Sequence, residues 1–140
     1  MAGSGDMMNR CIRHVARLGI SDKFHFTGFL RGADVQTMFS LSDVYIMPSV
    51  SEPFGISPLE AMRTNVPSII SKQSGAAEVL KYAFKVDFCD VDALADDIYA
   101  LLQYPALSSF ASGRGYDEVN SLKWNEATAK LKQVYESVLK

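Results

Sequence analysis

The sequence is short of most features that would point to export, membrane insertion or nucleic acid. It has only two cysteines, Cys11 and Cys89. That number builds no disulfide framework and no metal-type cluster, and both read as small buried apolar residues. The longest unbroken apolar run, Ile98 to Leu102, is far too short to span a bilayer. Basic charge is not in excess: the formal net charge is −2, which argues against nucleic acid or an anionic membrane as the main partner. Met1 leads directly into Ala2-Gly3-Ser4-Gly5, which does not read as a secretory leader, so a cytoplasmic location is the expectation. Repeats and low-complexity tracts are absent as well. What is present is ordinary for one globular domain: 140 residues, 48% apolar and 21% charged.

Along the chain, helical and extended patterns alternate. Asp6 to Leu18 carries a helical stripe of Met8, Cys11, Ile12, Val15 and Leu18, which Gly19 closes. Phe24 to Thr27 reads as a short strand. Asp34 is placed to cap a helix burying Val35, Met38 and Phe39. Val44 to Met47 is a continuous apolar run ended by Pro48, the signature of a strand buried on both faces. Helix is expected from Ser57 to about Thr64, strand from Pro67 to Ser71, helix from Ala76 to Tyr82 and strand from Phe84 to Phe88. Val91, Leu94, Ala95, Ile98, Leu101 and Leu102 mark a further amphipathic helix. Asp90-Val91-Asp92 stands directly before it and reads as a cap, not a metal site. Pro105 to Ser121, rich in Ser, Gly and Ala, reads as a loop with a short helix. A last helix, Lys123 to Leu139, would pack Trp124, Ala127, Leu131, Val134, Tyr135 and Val138. This spacing implies an α/β fold, a Rossmann-like parallel sheet with helices on both faces, whose ligand sits beyond the carboxyl ends of the strands.

The loops after Met47 and Ser71 are therefore where chemistry is expected. The first runs Glu52-Pro53-Phe54-Gly55-Ile56-Ser57-Pro58-Leu59-Glu60, with the two glutamates eight positions apart. Gly55 lets the backbone approach a ligand closely. Ser57 can cap the following helix with Pro58 at its first position, leaving backbone amides to face an anion. Glu52 and Glu60 can accept hydrogen bonds from hydroxyls on either side of a diphosphate. A competing reading exists for each. Ser57-Pro58-Leu59-Glu60 is a capping box, in which Glu60 would bond the Ser57 amide, and Glu52 could be a solvated loop acid. Gly3-Ser4-Gly5 is half of a dinucleotide fingerprint, but Met8 stands where the third glycine would be, so it reads as a strand-to-helix turn. His14 and His25 read as solvated.

The segment resembles the Glu-x7-Glu signature of retaining glycosyltransferases of the GT-B fold, family 4 (glycosyltransferases group 1), specifically their C-terminal nucleotide-sugar-binding domain. The flanks are similar too: Phe26-Thr27-Gly28-Phe29, Ser42-Asp43-Val44-Tyr45-Ile46-Met47-Pro48-Ser49, Glu60-Ala61-Met62, Pro67, Ser74-Gly75 with Glu78-Val79, Asp92-x-Leu94-Ala95 and Leu122-Lys123-Trp124. Two departures stand out. Asn65 replaces the family's Gly before Val66-Pro67, and Lys81 to Val86 replaces its Gly-rich run after the Glu78 helix.

The resemblance implies roles. Glu52 would be the catalytic carboxylate, binding donor-sugar hydroxyls and stabilising charge at the anomeric carbon. Pro53, Phe54, Gly55, Ile56 and Ser57 would line the sugar and diphosphate, Glu60 would hold the ribose, and Phe29 or Leu30 would lie beside the base. No metal and no cofactor is expected, leaving leaving-group charge to basic side chains and helix amides. The partners implied are a nucleotide-sugar donor and an acceptor glycan or lipid-linked sugar, and not nucleic acid; peripheral membrane association of a full-length protein is compatible with this. In the family, an Arg and a Lys that hold the diphosphate, and the acceptor domain, precede the part seen here. The expectation is thus one donor-binding domain over residues 1–140, inactive by itself, from a hexosyltransferase. A non-catalytic nucleotide-sugar-binding module and a GT-B-fold UDP-sugar epimerase are the alternatives.

Overall fold

The computed structural model describes residues 1–139. The chain divides into two compact units, Met1–Met38 and a second from Phe39 onward.

In the first unit, α1 (Met8–Arg17) buries Val15, half-buries Met8 and Cys11, and leaves Ile12 and Leu18 exposed. Gly19 N–H donates to Ala16 O and Ile20 N–H to Val15 O, a Schellman ending. The expected strand at Phe24–Thr27 does not form. The segment lies beside Met1–Gly3 through Thr27 N–H to Met1 O (3.0 Å) and Gly3 N–H to Gly28 O (2.7 Å), with a single bridge, Ala2 to Gly28. Gly28 then turns to φ +70°, which ends any ladder. Phe24 and Phe26 do share a face, their ring centroids 4.8 Å apart, and His25 is exposed. Asp34 lies within the first turn of α2 (Ala33–Ser40) and does not precede it; an acid there favours the helix through its dipole.

The second unit holds a parallel sheet of β1 (Tyr45–Met47), β2 (Ser68–Ser71) and β3 (Phe84–Val86), in that order. The middle strand is buried along its whole length, as a strand covered on both faces must be. Its alternation divides the core. Ile70 packs with Met47, Met62, Ala76, Leu80 and Val119, while Ile69 packs with Val86, Leu101 and Ala111. Of these, Met62 comes from α3 (Ser57–Arg63), Ala76 from α4 (Ala76–Val79), Leu101 from α5 (Val91–Gln103), and Ala111 and Val119 from α6 (Pro105–Ser121). Asp90 caps α5 by accepting from Ala93 N–H at 3.0 Å. The α3 helix ends in a second Schellman pattern, with Asn65 N–H to Met62 O, Val66 N–H to Ala61 O, and Asn65 at φ +59°. Asparagine tolerates that left-handed conformation, so the turn survives without the family's glycine.

Four further expectations need correction. Residues 105–121 form one long helix instead of a loop: Pro105 occupies its first turn, and Ala111, Gly115 and Val119 make a buried stripe at four-residue spacing. A Cβ on Gly115 would come within 2.8 Å of Met62 Cε; the small residue is what lets α6 lie against α3. The helix from Ala76 stops at Val79 and does not reach Tyr82, because the Glu118 carboxylate takes the amides of Lys81 (2.8 Å) and Tyr82 (3.1 Å). Trp124 is not core: on α7 (Trp124–Val138) it is 88% exposed, and Leu131, Val134, Tyr135 and Val138 are exposed with it. Cys89 is exposed, its thiol donating to Asp87 Oδ1 at 3.0 Å, a bond that lowers the pKa of Asp87. Among the described residues no helix is long and apolar enough to cross a membrane.

Glu118 should thus matter more than a surface acid. Glu118→Ala is expected to cost about 1–2 kcal/mol through two orphaned amides, measurable as a lowered urea midpoint with an unchanged m-value.

Candidate functional site

The carboxyl ends of neighbouring parallel strands bring the two loops named from the sequence side by side. After β1 the chain runs through Glu52 to Ile56 into α3; after β2 it turns at Lys72 to Gly75 into α4. The loops are bonded to each other. Gly75 N–H donates to Glu52 O (3.0 Å), Ala76 N–H donates to Phe54 O (2.8 Å), and Glu52 forms a parallel bridge with Ser74. Gly75 has no room for a side chain: a Cβ there would lie 2.0 Å from the Pro53 carbonyl oxygen. Ser74 is buried and returns its hydroxyl to Ser71 O at 2.8 Å, so the second loop is itself held to its strand. Gly55 sits at φ +81°, and a Cβ would also meet Glu52 Cγ and Met47 Cε at 3.0 Å.

This frame presents the candidate residues as follows. Glu52 and Glu60 are both half-buried, one on the loop and one in the first turn of α3. Among the described residues neither carboxylate has a hydrogen-bond or ion-pair partner; the ion pair recorded is the distant Lys132–Glu136. The amides of Phe54, Gly55, Ile56 and Ser57 have no acceptor among the described residues either. Phe54 and Ile56 are exposed, as is Pro53. Phe29 and Leu30 belong to the first unit, where Phe29 is 67% exposed with the Arg31 guanidinium 5.4 Å from its ring centre and Leu30 is half-buried.

The capping box does not form. Helix α3 begins one residue earlier than its sequence suggests, with Ile56 as N-cap, and Glu60 N–H donates to Ile56 O at 3.1 Å. The Ser57 hydroxyl is engaged elsewhere, 2.7 Å from the Tyr45 hydroxyl and 3.9 Å from Met47 Sδ. Tyr45 is the residue that the sequence reading missed, since an aromatic in an apolar strand carries no signal of a polar role. Its ring packs edge-on against Phe39, at 5.5 Å between centroids. Burial raises its pKa above 10.0, the Ser57 bond works against that rise, and the charges of Glu60 and Glu52 add to it. The phenol is therefore a neutral hydroxyl at physiological pH, held near two carboxylates.

An arrangement with two unpaired carboxylates flanking a strip of open amides suits a ligand with hydroxyls at two places and an anionic group between. Residues 1–115 match the family described as glycosyl transferases group 1. An uncharacterized glycosyltransferase of Methanocaldococcus jannaschii is 39% identical over 82 residues, which is 59% of this chain and 21% of that protein. The C-terminal domain of a glycosyl transferase group 1 family protein, LpcC, from Francisella tularensis superposes with a TM-score of 0.74 at 22% identity, over 83% of this chain and 62% of that one. Anabaena HepE, solved in complex with UDP-glucose, superposes with a TM-score of 0.82 at 19% identity, over 97% of this chain and 40% of that one. The chain thus spans about a fifth of the length of the M. jannaschii relative and two fifths of HepE.

The joint between the loops should be intolerant of one methyl group. Gly75→Ala is expected to destabilise the protein by about 3 kcal/mol, because backbone must move to admit it, and to lower the thermal midpoint accordingly. The Tyr45 phenol makes a second prediction. Since its folded pKa lies above 10.0, stability linked to it is fully present below that pH and is lost as pH rises through the folded value. Tyr45→Phe should flatten this alkaline slope in chemical denaturation between neutral pH and pH 11.

Proposed function

The chain belongs to the glycosyl transferases group 1 family, and from that premise we propose that it is the donor-binding domain of a retaining glycosyltransferase. The whole enzyme moves a hexosyl unit from a nucleotide diphosphate sugar to an acceptor hydroxyl. The observation that carries this reading is the bonded pair of loops at the carboxyl end of the sheet, with Glu52 and Glu60 unpaired and the amides of Phe54 to Ser57 open between them. HepE, which shares the fold, was solved with UDP-glucose; a donor of that class matches the groups on offer here.

In this reading Glu60 accepts from the ribose hydroxyls. The open amides meet the diphosphate, aided by the dipole of α3. Glu52 accepts from hydroxyls of the donor sugar, and its negative charge stabilises the positive charge that develops at the anomeric carbon as the bond to the diphosphate breaks. Such a contact is worth most in the transition state, which makes Glu52 the catalytic member of the pair. Pro53 and Gly55 shape the backbone between the carboxylates. The Ser57 contribution is its backbone N–H, as its hydroxyl is held by Tyr45. The acceptor, a glycan or a lipid-linked sugar, is met by a further domain of the whole enzyme. A cytoplasmic setting is part of this proposal; the free Cys11 and Cys89 thiols accord with a reducing compartment.

Calorimetric titration with UDP-glucose and with a GDP-hexose tests the roles separately. Glu60→Ala should weaken binding of nucleotide sugar and free nucleotide alike by about tenfold or more, the worth of hydrogen bonds to a charged acceptor. Glu52→Gln should weaken the nucleotide sugar more than the free nucleotide. Unchanged affinity in Glu60→Ala would refute the ribose role, and absence of saturable binding to either donor would refute the donor site.

A further inference from the structure

The Ser57-Pro58-Leu59-Glu60 segment encodes a capping box, with Ser57 as N-cap accepting from Glu60 N–H and the Glu60 carboxylate folded back onto Ser57 N–H. Were it formed, Glu60 would be spent on its own helix. The structure shows the alternative. The Tyr45 hydroxyl lies 2.7 Å from Ser57 Oγ, and Ser57 Oγ in turn donates to Met47 Sδ at 3.9 Å. The phenol therefore donates to Ser57, whose one proton goes on to sulfur. With its hydroxyl engaged by Tyr45 and Met47, Ser57 makes no cap bond to α3. The helix starts at Ile56 instead, whose carbonyl receives Glu60 N–H at 3.1 Å. The Glu60 carboxylate is left half-buried and without a hydrogen-bond partner among the described residues.

Tyr45 is well placed to hold this arrangement. It comes from β1, half-buried, with its ring against Phe39 and its hydroxyl at Ser57 of α3, so its hydroxyl is fixed by the sheet and not by the loop. The phenol also sits within the field of both Glu52 and Glu60.

We propose that the Tyr45 hydroxyl is a positioning group for the donor site: by engaging Ser57 Oγ it prevents the capping box and keeps the Glu60 carboxylate free for the ribose hydroxyls of the donor. This rests on the donor-site reading above. Tyr45 itself touches no substrate; it acts through Ser57 and the register of α3. Glu60 is thereby released by a tertiary hydrogen bond that outcompetes a local one.

The test is a double-mutant cycle between Tyr45→Phe and Glu60→Ala, read by titration with UDP and with 2′,3′-dideoxy-UDP, or the guanosine equivalents if guanine is preferred. Tyr45→Phe removes one oxygen and keeps the ring. It is expected to weaken UDP binding about tenfold, the value of a hydrogen bond to a charged group, while leaving dideoxy-UDP binding unchanged, since that ligand has no hydroxyls for Glu60. Tyr45→Phe/Glu60→Ala should bind UDP no more weakly than Glu60→Ala alone. A loss that is equal for UDP and dideoxy-UDP, or that adds to the loss from Glu60→Ala, overturns the proposal, because general loosening of the site would act in that way. If Tyr45→Phe also lowers the melting temperature, the cycle still separates the cases, as a structural defect adds to Glu60→Ala and a positioning defect does not. Unaltered UDP affinity in Tyr45→Phe, with Glu60→Ala impaired, overturns the role of Tyr45 alone. Failure of the unmodified protein to bind either nucleotide overturns the donor-site reading and this proposal with it.

Discussion

The contact on which the site depends is between two pieces of backbone. The Pro53 carbonyl lies against the Cα of Gly75 so closely that a methyl group would stand 2.0 Å from its oxygen. Two amides, those of Gly75 and Ala76, close the joint onto the carbonyls of Glu52 and Phe54. A surface loop normally has freedom to move. This one is bonded at Glu52 and Phe54, pinned at Pro53 and turned at Gly55 into a conformation other residues rarely adopt. The backbone of Glu52 is thus held by main chain, and its carboxylate has no hydrogen-bond partner among the described residues.

The joint is possible because β1 and β2 are adjacent and parallel. Parallel neighbours release their following loops at the same edge of the sheet, and the register of Tyr45 with Ser68 through Met47 with Ile70 sets those loops level. The sheet is in turn fixed by Ile69 and Ile70, both fully buried and facing opposite layers. The layer behind the site relies on close approach. Gly115 lets α6 settle on Met62 of α3, and α6 then extends far enough for Glu118 to hold the turn after α4. A glycine that weakens an isolated helix here strengthens the packing of the helix on which α3 rests.

At α3 a local and a tertiary interaction compete for the same serine. The sequence supports a capping box, which is worth about 0.5–2 kcal/mol in other helices. The Tyr45 phenol, carried on β1, meets the serine hydroxyl that would otherwise accept Glu60 N–H, and the helix begins a residue earlier. The consequence is an unpaired carboxylate at the edge of the sheet. Unpaired polar groups in a folded protein carry a cost, and their persistence at ligand sites is the usual sign that the partner comes from outside.

The sequence by itself determined most of the alternation of elements and picked out the two loops that the fold brings together. Apolar runs at 44–47 and 67–71 became β1 and β2, the stripe from Val91 became α5 under its Asp90 cap, and the Glu52 to Glu60 segment fell where parallel strands put ligands. These features are local: they follow from period, caps and breakers. Tertiary structure decided what local rules cannot weigh. Residues 105–121 look like a loop because Ser and Gly are weak helix formers, yet packing of Ala111, Gly115 and Val119 makes them a helix. The stripe on α7 looks like core because apolar spacing records amphipathicity and not what lies opposite, and Trp124 is exposed. The use of Ser57 depended on Tyr45, twelve residues away, and the need for Gly75 on a carbonyl twenty-two residues away. Both are contacts between chain segments that only the fold brings together.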